Sequence, residues 1–160
     1  RVSRGLGDVY KRQDIYWNEK KICGILIEND LSGHHIGRSI SGIGVNINQE
    51  TFRSDAPNPV SLKQITGQEH ERYLILANIM RRLKEYYILL QTDSSGNAAN
   101  CIAERYARSL FRREGFHRYA DADGEFLARL LCVEPDGRFI LEDQAGKVRG
   151  YLFKEVQYIL

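Results

Sequence analysis

Apolar and polar positions change rhythm twice along this chain. Asp14-Ile15-Tyr16-Trp17 is a short β-prone run, and the turn-like Asn18-Glu19-Lys20 leads into the Ile-rich stretch Lys21-Ile22-Cys23-Gly24-Ile25-Leu26-Ile27-Glu28. Asp30 to His35 is rich in Asp, Ser and Gly and predicts a second turn, with a return strand from about Ile36 to Asn48. Both long runs are expected as buried strands. Asp55-Ala56-Pro57-Asn58-Pro59 predicts a loop that cannot continue a sheet, because proline lacks the donor. The period then shifts to that of helices. Ser61 is a good N-cap for a short helix, Leu62 to Ile65, ended by Gly67. Tyr73, Leu76, Met80, Leu83, Tyr87 and Leu90 recur at intervals of three and four, predicting a long helix from about Glu69 to Gln91. Ala99, Ile102, Tyr106 and Leu110 predict another from Ala98 to Arg113. From Phe116 to Gly124 the pattern changes again, and four short alternating runs follow: Glu125 to Val133, Arg138 to Glu142, Lys147 to Phe153 and Val156 to Ile159. Pro135-Asp136-Gly137 and Gln144-Ala145-Gly146 make tight hairpins of the first three.

The fold class expected is α+β: a mixed sheet with two packed helices, then a small SH3-like β-barrel with too little core to stand without packing on the helices. The division expected is residues 1–13 as an unrelated leader, 14–118 as the main domain and 119–160 as the barrel.

Glycines within a strand lose packing and entropy, so they mark a bulge or a place where a ligand lies against backbone. Gly24 in the first long strand, with Gly42 and Gly44 in its partner, point to this hairpin as the site. Lys21, Asn46 and Asn48 are its polar members.

Composition narrows the class. With 160 residues and 42% hydrophobic content the chain can bury a core of one domain plus a small appendage. Its 23 Lys and Arg against 21 Asp and Glu are spread along the sequence, which is no footprint for nucleic acid. Cys23, Cys101 and Cys132 are odd in number, show no paired spacing and are expected as reduced core or near-core thiols. The longest apolar stretches fall far short of the roughly 18 residues that span a bilayer. The N-terminus carries no apolar secretory run, so a cytoplasmic location without membrane contact is expected.

Lys21-Ile22-Cys23-Gly24-Ile25-Leu26-Ile27-Glu28, followed by Ser41-Gly42-Ile43-Gly44-Val45-Asn46-Ile47-Asn48, resembles the catalytic core of the biotin protein ligases. The order of elements is also similar: a lysine-led strand, a Gly-x-Gly-apolar-Asn strand, helices, and a C-terminal SH3-like domain. Asp14 matches the last residue of that family's Lys-Trp-Pro-Asn-Asp motif, and Val60-Ser61-Leu62 its small-Ser-Leu helix start. The resemblance implies a biotin/lipoate ligase-like fold and an ATP- and Mg²⁺-dependent activation of biotin to biotinyl-5′-AMP. The biotin would pass to a lysine of a biotin carboxyl carrier domain. It implies Lys21 as the catalytic cation contacting the biotin carboxylate and the phosphate, Gly24, Gly42, Ile43 and Gly44 as the biotin floor, and Asn46 with Asp14 on the nucleotide side, with no protein metal site. Tyr10-Lys11-Arg12-Gln13 departs from the motif that should precede Asp14. The family's Gly-Arg-Gly-Arg loop and the helix-turn-helix of its bifunctional members have no counterpart. The chain therefore resembles the C-terminal half of a ligase joined to other sequence, and little activity is expected of it alone.

Two readings stand beside this one: a non-catalytic remnant that binds the carrier protein, and a lipoate ligase. His34-His35 reads as a turn rather than a metal site. Arg81-Arg82 and Arg112-Arg113 read as solvated helix faces. Tyr73, Tyr87 and Tyr106 are expected in the core. Glu28 could orient Lys21 or cap the strand edge.

Overall fold

The computed structural model describes residues 14–33, 35–53, 58–152 and 155–159. The leader, His34 and most of the Asp55–Pro59 loop lie outside them. The chain divides into two compact units, one ending at His70 and the other beginning at Glu71.

In the first unit β1 (Ile15–Trp17), β2 (Lys20–Ser32) and β3 (His35–Val45) form an antiparallel sheet in that order. β2 runs past Glu28 because its extension is answered across the sheet. Asp30 faces Arg38 in register and accepts from its Nε at 2.9 Å. The turn is confined to the neighbourhood of Gly33, whose φ of 62° suits a residue without a Cβ. β3 stops at Val45, before Asn46 and Asn48. The burial expected of these strands holds only at their base. Cys23 is buried, whereas Ile36 is 63% and Ile40 54% exposed, because no described element of this unit covers the outer hairpin.

The base is closed by the segment after Asn58. Pro59 forms a parallel bridge with Lys21, so the sheet is mixed and the loop does join it. The bridge needs no proline donor: Lys21 N–H donates to Asn58 O at 2.9 Å, and Val60 N–H donates to Lys21 O at 2.9 Å. Ser61 then caps α1 (Leu62–Thr66), its hydroxyl accepting from Gln64 N–H while the Gln64 side chain accepts from Ser61 N–H. Gly67, left-handed at φ 74°, ends the helix as its sequence predicts.

The second unit starts with α2 (Arg72–Thr92) and α3 (Asn97–Arg108). Asp93 makes the break: its carboxylate accepts from the Ser95 hydroxyl, which does most to hold its pKa below the usual value, and from Ala98 N–H and Ser95 N–H, which add to this. α3 ends at Arg108 rather than Arg113, because Arg112 turns left-handed (φ 54°) and sends its guanidinium to Arg118 O and Ile159 O. The core role expected of the helix tyrosines is not met. Tyr73 is 77% exposed, and Tyr87 and Tyr106 also face outward.

The buried part of this unit is a five-stranded antiparallel sheet: β4 (His117–Asp121), β5 (Gly124–Val133), β6 (Phe139–Asp143), β7 (Val148–Tyr151) and β8 (Gln157–Tyr158), in the order β7-β6-β5-β4-β8. β4 falls where the sequence pattern changes and is one strand more than the alternation predicts. It carries Tyr119, fully buried with Ala128 and Leu141 in a core shared by Leu130, Phe139 and Tyr151. The Tyr119 ring lies 5.5 Å from that of Tyr158 and 6.1 Å from that of Phe126. The sheet curls enough for Tyr151 on β7 to donate to Asp121 at the end of β4, 2.6 Å away, although β5 and β6 intervene in the sheet. Arg149 joins Asp121 and Asp143 at 3.2 and 3.1 Å. The architecture fits the SH3-like barrel expected, with the edge strand β7 tied by side chains to the β4 and β6 ends and not paired with the other edge strand, β8. Cys101 and Cys132 are exposed free thiols, which corrects the expectation that all three are near the core. Among the described residues no helix is long and apolar enough to cross a membrane.

Candidate functional site

Cross-strand pairing places Gly24 directly opposite Gly44 and Leu26 opposite Gly42. Paired residues share a face, and every second residue returns to it, so the three glycines lie together on one side of the hairpin. The patch spans about 7 Å along the strand and about 5 Å across it. The protein's own packing does not require glycine here. A Cβ on Gly42 would come no closer than 3.9 Å to Leu26, and one on Gly44 would lie 3.8 Å from Gly24 O. The missing side chains therefore leave the backbone bare at Gly24, Gly42 and Gly44, beside the Leu26 side chain that shares this face. Ile43 pairs with Ile25 on the opposite face, so only its main chain belongs to this surface.

Strict alternation would put Lys21 on that opposite face too. A β-bulge prevents it: Ile15 faces Cys23 while Tyr16 faces Lys21, leaving Ile22 as an extra residue on β2. One extra residue reverses the alternation beyond it and re-aims the side chain. A Cβ built on Gly24 would meet Lys21 Cε at 3.4 Å and Lys21 Nζ at 3.5 Å, so the lysine lies over the floor. Its ammonium pairs with Asp14 Oδ1 at 2.8 Å; the lysine side chain is 26% exposed and the aspartate 10%. Glu28 sits opposite Ile40, about 23 Å along the strand from Lys21, so it does not orient the lysine.

Beneath the lysine the site is dry. Cys23, Val60 and Ser61 are buried there. Burial pushes the Cys23 thiol up, the Asp14 charge adds to this and the Lys21 charge partly offsets it, so the thiol stays protonated at neutral pH. Asn46 is spent on architecture: its Nδ2 donates to Val60 O at 3.2 Å and Lys21 O at 3.4 Å, tying the two segments that carry the site. Among the described residues its Oδ1 accepts no hydrogen bond. Asn48 acts away from the floor, bonding both main-chain groups of His70 at 2.9 and 3.0 Å.

Of the residues singled out in the sequence, Lys21, Asp14, Gly24, Gly42 and Gly44 come together, Asn46 supports them from below, and Ile43 turns away. The Ile22 bulge and the Pro59 bridge are the features that sequence reasoning missed. A register slip has no signature in an unbroken apolar run. The lysine next to a lone strand glycine was the only hint. No group of His, Cys, Asp and Glu that could hold a metal occurs among the described residues.

Known proteins give an independent view. No protein-family model matches the chain. The chain is 27% identical over 149 residues to the bifunctional ligase/repressor BirA of Bacillus spizizenii, covering 90% of itself and 44% of that protein. It is 26% identical over the same span to BirA of Bacillus subtilis. The chain thus spans less than half the length of these curated relatives. In structure it is similar to the apo biotin protein ligase of Aquifex aeolicus, with a TM-score of 0.64, 22% identity, and coverage of 90% of this chain and 61% of that one. A structure of biotin protein ligase from the same organism in complex with biotin and ATP gives a TM-score of 0.64 at 19% identity, covering 91% and 60%. Over about nine-tenths of its length, the chain is similar to the C-terminal region of biotin protein ligases.

Proposed function

We propose that this chain carries one wall of a biotin protein ligase site, serving ATP-dependent activation of biotin to biotinyl-5′-AMP and transfer of the biotin to a lysine of a carboxyl carrier domain. The observation that supports it most is an ammonium held over a strand floor in which Gly24, Gly42 and Gly44 bring no side chain. Adenylation brings the biotin carboxylate against the α-phosphate of ATP, two anions that repel. A fixed cation between them stabilises the charge of the transition state by several kcal/mol, on the order of an oxyanion-hole donor. Lys21 supplies that cation. The floor of Gly24, Gly42 and Gly44 accepts a flat bicyclic ring closely because no Cβ intervenes. Asn46 holds the backbone under Lys21, and its side-chain oxygen serves the nucleotide.

The described residues build no cage for Mg²⁺, and Asp14 Oδ1 is engaged by Lys21. A Mg²⁺ ion that binds mainly through phosphate oxygens and water fits such a site by arriving on ATP. The protein chemistry is positioning and charge stabilisation. The setting in this reading is cytoplasmic, and the C-terminal sheet is the SH3-like domain.

Biotin-dependent exchange between ATP and pyrophosphate, and transfer of radiolabelled biotin to a carrier domain, test the reading. The chain by itself is expected to turn over slowly, since the described residues supply a floor and no opposing wall. Completed at its N-terminus with the segment that a Bacillus BirA has there, it is expected to gain both activities and to lose at least about a hundredfold on Lys21→Ala, in the range seen when one charge-stabilising donor is removed. A completed protein that is inactive, or one indifferent to Lys21→Ala, overturns it. Carrier binding without any exchange would instead favour the non-catalytic remnant.

A further inference from the structure

A lysine side chain has four rotatable bonds and costs up to about 2 kcal/mol in entropy to fix, so backbone placement alone does not aim its ammonium. At Lys21 one other group does so. Asp14 Oδ1 lies 2.8 Å from Nζ, at the mouth of β1, whose register against β2 is set by the Ile22 bulge. The pair lies directly above Gly24: a Cβ there would touch Lys21 Cε at 3.4 Å, Nζ at 3.5 Å and Asp14 Oδ1 at 3.6 Å. The carboxylate is the more buried partner, and Glu28 lies too far along β2 to substitute for it.

We infer that Asp14 is the positioning residue of the site: it directs the Lys21 ammonium over the glycine floor and pairs its charge there. The inference rests on the proposed role of Lys21 and departs from a direct contact between Asp14 and nucleotide. An ammonium has three donors. One is taken by Asp14, and the remaining two point to an incoming carboxylate and phosphate from a fixed origin. A neutralised pair also attracts stray anions less than a bare cation does, so occupancy depends on the floor as well as on charge. The ligand class favoured is a carboxylate-bearing ring flat enough to lie on Gly24, Gly42 and Gly44.

The test reads the ammonium itself. Proton–nitrogen correlation spectra of the full chain labelled at lysine Nζ resolve ammonium groups whose exchange with water is slowed by an ion pair, and Lys21→Arg assigns the signal. The expected result is a slowly exchanging Lys21 ammonium whose exchange accelerates roughly tenfold in Asp14→Asn, as for loss of a charge-assisted hydrogen bond. Asp14→Glu is expected to restore part of the protection, which a merely structural aspartate would not. Equal exchange in the parent chain and Asp14→Asn overturns the inference, as does Asp14→Glu behaving like Asp14→Asn with an unchanged backbone amide spectrum. Millimolar biotin then separates the two ideas. A protected, Asp14-dependent signal that ignores biotin leaves Asp14 as the positioning partner of Lys21 and counts against the biotin reading, whereas an Asp14-independent signal that shifts with biotin does the reverse.

Discussion

The Lys21 hairpin and the C-terminal sheet are both antiparallel, yet they use their side chains in opposite ways. The sheet from β4 to β8 turns its largest rings inward, with Tyr119 and Leu141 fully buried and Phe139 and Tyr151 packed beside them. The hairpin buries Cys23 at its base and exposes most of its isoleucines, and it has bare backbone where a core would put methyl groups. One region stabilises itself. The other leaves a surface open at the expense of its own packing, the trade expected of the site proposed for it.

The sharpest way to break this contrast is to remove buried volume from each region. Leu141→Ala is expected to destabilise the C-terminal sheet by about 3 kcal/mol, read as a lower denaturant midpoint of the near-ultraviolet dichroism of its aromatic cluster. Ile36→Ala, on the open hairpin, should change the chain's stability by under about 0.5 kcal/mol. Comparable effects at both positions would remove the distinction.

A smaller effect concerns the link that ties β7 to β4. Desolvation, then the hydrogen bond to Asp121, raises the Tyr151 phenol from 10.0 to about 12. Its neutral form is favoured by folding, so that contribution is complete below pH 10 and is lost as pH rises toward 12. Asp121 is shifted the other way, its pKa lowered from 3.8 chiefly by the Tyr151 hydroxyl, so its contribution is complete well above that value and disappears as acid protonates it below. Tyr151→Phe should cost ~1 kcal/mol at neutral pH and abolish the late phenol in an absorbance titration at alkaline pH. A variant that keeps a late-titrating tyrosine would place the raised group elsewhere.

The smallest expected effect sharpens the contrast most. Gly42→Ala adds a Cβ no nearer than 3.9 Å to Leu26 and should leave stability within about 0.5 kcal/mol. Calorimetric titration of the completed protein with biotin should nevertheless weaken clearly. A change in stability without a change in binding would make Gly42 a packing residue.

Legibility in the sequence followed the range of the interactions. Ser61 with Gly67, or Pro135-Asp136-Gly137 between β-prone runs, are signals carried within a few residues, and the helix and hairpins stand where they predict. The lysine, the glycines and the aspartate were legible as residue types. Their assembly was not, because it depends on a slip of one residue at Ile22 and on Lys21 pairing with a segment beyond a long loop. β4 was missed for a similar reason: His117 and Asp121 put polar residues on the face of Tyr119, and Tyr119 becomes the centre of the core only once β5, β6 and β8 surround it. The α2 tyrosines erred the other way, since periodicity shows that a helix has an apolar stripe and nothing about what covers it.

The bridge at Pro59 gives the lysine an unusual footing. Its N–H and C=O are both taken by Asn58 and Val60, and the same carbonyl also receives the Asn46 carboxamide. Motion of the ammonium is therefore confined to its own stem, and most of the ordering that a ligand would otherwise have to impose is completed when the chain folds. Affinity at such a point is gained by slower departure of the bound molecule rather than by faster arrival, and the length of its stay is set by residues that never touch it.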